Sequence, residues 1–90
     1  MATAEELAIR LNNLVVENLP QLYSAQPRLA AVCNDLIETL SSQQRAEFGD
    51  KLLAAIKHIP SGPLTRANAW QVIDSLTHPI YDLLLAMKEG

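Results

Sequence analysis

Aliphatic residues recur along this chain in alternating steps of three and four, and that spacing directs it into helices. The strongest run is Leu29, Val32, Cys33, Leu36, Ile37 and Leu40, with Arg28, Asn34, Asp35, Glu38 and Thr39 on the opposite side. Leu7, Leu11, Leu14 and Asn18 make a second stripe, widened by Val15 and Leu22. Phe48, Leu52, Ala55, Ile56 and Ile59 make a third; Ala69, Trp70, Ile73 and Leu76 make a fourth, with Val72 beside them. Ile80, Leu83, Leu84 and Met87 repeat the pattern once more. Aromatic residues are only 4% of the chain. The core is therefore Leu, Ile, Val and Ala, which suits helix-on-helix packing better than β-sheet layers.

Capping and breaking residues divide these stripes. Thr3-Ala4-Glu5-Glu6 has the form of a capping box, so the first helix is predicted from Ala4 to Asn18, with Pro20 ending or bending it. Pro27 suits the first position of the second helix, where its missing N–H is harmless. Ser41-Ser42-Gln43-Gln44 closes that helix and caps the third. Gly49 either lets another helix approach or breaks the third helix, with Asp50 as a new cap. Ile59-Pro60-Ser61-Gly62-Pro63 is a loop. Thr65 caps the next helix, with Leu64 as its staple residue. Pro79 bends or splits the last helix. The expected fold is all-α, a compact bundle of four or five short helices, forming one domain over residues 1–90. A chain of 90 residues buries roughly 60–65% of its unfolded surface, enough for one modest core.

Charge and cysteine content narrow the function classes. The net charge is −3, while residues 43–66 carry Arg45, Lys51, Lys57 and Arg66 against Glu47 and Asp50. A local +2 could touch a phosphate backbone, but phosphate binding calls for clustered basic residues, so nucleic acid is not the favoured partner. Cys33 is the only cysteine, so the chain has no internal disulfide framework. It reads as a small buried hydrophobe. Residues 1–20 lack the cationic start of a signal peptide, and no run approaches the ~18 apolar residues of a membrane span. The expected location is the cytoplasm, with no membrane partner.

Several residues invite a chemical reading. Asp74, His78 and Asp82 are spaced by four and would share a face of a straight helix. One helix face rarely supplies a closed metal site, and the expected role is a solvated strip; no metal or cofactor is assigned. His58 stands at the expected end of the third helix, where a cationic side chain suits the helix dipole. The two histidines and Cys33 fall on different helices, without a Gly-rich loop or a nucleotide fingerprint. The chain is therefore not expected to be an enzyme.

Asp74-Ser75-Leu76, followed by an amphipathic helix, resembles the acyl carrier proteins. That resemblance covers about 15 residues around a core of three, and it implies a phosphopantetheine-bearing serine at Ser75. The chain departs from the carrier pattern twice. A carrier serine begins the second helix of its bundle, whereas only 15 residues follow Ser75. A helix headed by Ser75 would also need an amide donor at Pro79, which proline lacks.

What is left is an apolar surplus. Ile9 and Val16 lie off the main stripe of the first helix, and Tyr81 and Leu85 make a second stripe on the last. Trp70 shares a stripe with Ile73, which favours core packing, although tryptophan is also a frequent interface anchor. Ile9, Val16, Trp70, Tyr81, Leu84 and Leu85 are the candidate interface residues. The reading is a small helical protein-interaction module: an adaptor, an inhibitor, an immunity-type or a chaperone-like protein. The alternatives are a nucleic-acid-binding regulator using the basic 45–66 region and, third, a carrier-like protein using Ser75. A homodimer would cover the surplus on both terminal helices. A competing arrangement runs the last helix through the centre of its own bundle, with Leu85 facing the first helix and Leu84 the third.

Overall fold

The structure, a computed structural model, describes residues 3–19 and 21–89, and these form helices without any strand. Pro20, expected to end the first helix, lies outside the described residues. Helix α1 spans Ala4–Glu17 and α2 spans Leu22–Thr39. Helix α3 is the short Ser42–Gln44; a π-helical turn, Arg45–Gly49, joins it to α4, Asp50–Lys57. Helix α5 spans Ala69–Glu89. Since α3, the π turn and α4 follow one another without a gap, four helical rods make up the described chain.

Each rod packs chiefly on two neighbours. Helix α1 touches α2 and α5, and α4 closes the ring by touching α2 and α5 as well. Leu7, Leu11 and Val15 of α1 meet Leu22, Leu29 and Leu36 of α2, Leu52 and Ile56 of α4, and Leu76, Ile80 and Leu83 of α5 in one aliphatic cluster. Phe48 is the only aromatic residue among its fully buried members.

The expected capping contacts form, although α5 begins at Ala69 rather than directly after Thr65. Thr3 Oγ1 accepts the Glu6 amide at 3.1 Å, and Ser41 Oγ accepts the Gln44 amide at 3.2 Å. Thr65 and Asn68 cap each other, the Asn68 amide donating to Thr65 Oγ1 at 3.3 Å and the Thr65 amide to Asn68 Oδ1 at 2.8 Å. Leu64 and Ala69 border the same groove, as a hydrophobic staple requires.

Both helix-internal prolines depart from local expectation. Helix α2 begins at Leu22 rather than at Pro27, which sits inside it. The buried stripe runs through Leu22, Ala25, Leu29, Cys33 and Leu36, and Pro27 is on the exposed side. Burying one leucine contributes about 1.5–3 kcal/mol, comparable with the ~3 kcal/mol of an interior proline, so the five residues before Pro27 gain by joining the helix. Helix α5 likewise continues through Pro79, which gives the four-helix form of the bundle.

Gly49 neither breaks the segment nor admits a backbone. It has helical dihedrals of −56° and −51°, as does Asp50 at −65° and −36°. The π turn brings both Phe48 and Gly49 to the buried side. A Cβ at Gly49 would lie 3.6 Å from Arg45 Cγ and 3.9 Å from Ile37 Cγ2, ordinary contact distances. Gly49→Ala should therefore stabilise the protein by up to about 1 kcal/mol, read as a higher urea midpoint. A lower midpoint would mean that the π turn needs glycine.

Candidate protein-interaction surface

Helix ends fix how the rods meet, and side chains serve most of them. Asn18 Nδ2 donates to Leu14 O at 2.7 Å at the end of α1, and Arg28 Nη2 donates to Asn18 Oδ1 at 3.1 Å. Arg45 reaches the end of α2, donating to Ile37 O at 3.2 Å and Glu38 O at 3.3 Å. Gln26 of α2 donates to Ile56 O of α4 at 2.9 Å and ties those two helices together. His58, the cap of α4, lies 2.6 Å from Ala54 O through Nδ1; the carbonyl only accepts, so Nδ1 carries the hydrogen. His58 thus stands at the helix end expected of it. Arg45 is engaged with backbone carbonyls, and Arg45, Lys51, Lys57 and Arg66 are all exposed.

Helix α5 has two apolar faces. At 100° per residue, Leu76, Ile80 and Leu83 share the inner face, and all three are buried. Trp70, Tyr81 and Leu85 share the outer face. Trp70 is 81% exposed, Tyr81 54% and Leu85 57%. Core packing of Trp70 is thereby corrected. It stands about 120° round the helix from the buried Leu76. The central-helix arrangement fails for the same reason, since Leu85 is left largely in solvent rather than covered by α1. Leu84 is half-buried against the core and also borders an open groove of about 350 Å³ with Tyr81, Leu85 and Lys88. Lys88 was missed from sequence, although its place seven residues after Tyr81 puts it on the same face. On α1, Ile9 and Val16 are 45% and 56% exposed and also share one face.

A second shallow groove, about 250 Å³, is bordered by Leu19, Leu64, Thr65, Arg66, Ala69 and Ile73. It combines the end of α1 with the cap of α5, a junction that no local periodicity reveals.

The chemical candidates do not gather. His78 Nε2 lies 3.4 Å from Asp82 Oδ2, both side chains well exposed, and Asp74 makes no ion pair with His78. Among the described residues no three His, Cys, Asp or Glu side chains converge as metal ligands. Ser75 is exposed inside α5 rather than at a helix start. Cys33 is buried in the core, and burial pushes its thiol up to about 11. No helix among the described residues is long and apolar enough to cross a membrane.

Two outcomes follow from this geometry. The folded state holds the Cys33 proton more tightly than the unfolded chain does. Its contribution to stability is complete below about pH 9 and lost as the pH rises toward about 11, on the order of 2 kcal/mol. Wild type should therefore lose stability more steeply than Cys33→Ala over that window in urea titrations, and equal slopes would contradict the burial. Trp70→Ala and Leu85→Glu change exposed positions, and each should shift stability by no more than about 0.5 kcal/mol. Unfolding of Leu85→Glu by circular dichroism would return that residue to the core.

Comparison with family models, with curated proteins and with solved structures finds no match to this chain.

Proposed function

We propose that this chain is a helical protein-binding module, of the adaptor, inhibitor, immunity-type or chaperone-like kind, which docks its partner on the outer face of α5. One observation carries the reading: Trp70, Tyr81 and Leu85 stand mostly exposed on one helix face. Each holds a large apolar area in water, and aromatic side chains of this kind dominate binding energy when a partner covers them. The groove beside Tyr81 offers a partner side chain a shaped apolar seat. We place the protein in the cytoplasm, a compartment in which an unpaired cysteine such as Cys33 stays reduced. The nucleic-acid alternative has less support, because Arg45 already serves the end of α2. The carrier alternative has less support as well, because Ser75 does not begin a helix.

The test uses immobilised wild type and the folded double variant Trp70→Ala/Leu85→Glu, each exposed to lysate of the native host. Proteins retained by wild type and lost by the double variant are expected. Proteins held equally by both, or by neither, would remove the α5 face as the binding surface.

A further inference from the structure

We propose that the occupant of the α5 face around Tyr81 and Leu85 is a second copy of this chain, laid antiparallel across a two-fold axis at Tyr81. This rests on the reading of that face as a docking surface and names its partner. Asp74, Tyr81 and Lys88 follow one another at steps of seven, and all three are exposed. Seven residues are close to two helical turns, a drift of only about 20°, so an acid, an aromatic ring and a base line up on one face. The acid and the base lie about 10 Å to either side of Tyr81.

Such a face is complementary to itself in one orientation alone. In a parallel pair Asp74 would meet Asp74, and Lys88 would meet Lys88. In an antiparallel pair with the two Tyr81 residues opposed, Asp74 of each copy faces Lys88 of the other, and both ion pairs form at once. The closed two-fold arrangement is the commonest among soluble oligomers. The groove bordered by Tyr81, Leu84, Leu85 and Lys88 then receives the second copy's Tyr81, and the symmetry repeats that contact. Antiparallel helix dipoles favour the same orientation. His78 and Asp82 lie to the side of this line and keep their contact in either state. Among the described residues neither Asp74 nor Lys88 has an ionic partner within the chain.

Sedimentation equilibrium on the full chain from low to high micromolar concentration tests the pairing. Wild type is expected to approach about twice its 9.9 kDa mass. Asp74→Lys and Lys88→Asp should each weaken the dimer by about tenfold or more, because each places like charges together at two symmetric points. The double swap Asp74→Lys/Lys88→Asp should restore dimerisation to within about threefold of wild type, because the charge order is only reversed. Circular dichroism confirms that each variant keeps its helices. A wild type that stays monomeric at the highest concentration, single swaps without effect, or a double swap that fails to rescue would each overturn the pairing. A monomeric wild type that still retains a lysate protein lost by Trp70→Ala/Leu85→Glu would overturn the second copy while leaving the docking surface in place.

Discussion

Burial along one side of α2 holds the bundle together. Leu22, Ala25, Leu29, Cys33 and Leu36 are all withdrawn from solvent there, and they meet α1 on one flank and α4 on the other. Helices shorter than about 12–15 residues are marginal alone in water. The eight residues of α4 therefore depend on neighbours for their persistence. With almost no aromatic side chains, the core gains area only by bringing several aliphatic stripes together. Four rods in a ring achieve this, each donating one stripe and resting on two neighbours. The burial of Leu22 and Ala25 offsets the hydrogen bond lost at Pro27.

The rods need defined ends if their stripes are to stay in register. Gly49 lies within a helical segment and Gly62 in the loop between α4 and α5, so neither closes a helix in the usual left-handed way. Side chains do the work instead. Arg45 closes α2, Asn18 closes α1, and Gln26 and His58 serve the last carbonyls of α4. Two of these contacts reach across elements. Gln26 joins α2 to α4, and Arg45 folds the π turn back onto the end of α2. The same arrangement commits two of the Arg45 donors to carbonyls and leaves fewer of them for an anionic partner.

The proposed function rests on what the ring leaves uncovered. A helix in a ring of four buries one face, and the apolar residues on any other face stay in water. Helix α5 carries such a second face in Trp70, Tyr81 and Leu85, and α1 carries a smaller one in Ile9 and Val16. Neither face adds to the stability of the single chain. Under the proposed function their value lies in association, where the same apolar area becomes binding energy. The order of charges along α5 adds direction to that surface, which apolar area alone lacks.

The amino-acid sequence by itself determined several of the helix caps and which residues share a face. The caps at Thr3, Ser41 and Thr65, the helix-end position of His58 and the stripes of α1 and α2 all arise from interactions within a few residues, so they are legible locally. Only the tertiary structure decided which of two apolar faces turns inward. Trp70 and Ile73 read as one stripe, and so do Tyr81 and Leu85; the positions of α1 and α4 select Leu76, Ile80 and Leu83 for the core and leave Trp70 outside. The fate of Pro27, Gly49 and Pro79 was decided in the same way. Each weakens a helix locally, and whether the helix survives depends on burial supplied by residues far away in the chain. Periodicity fixes an angle around a helix axis, whereas the direction of the core is a property of the neighbours.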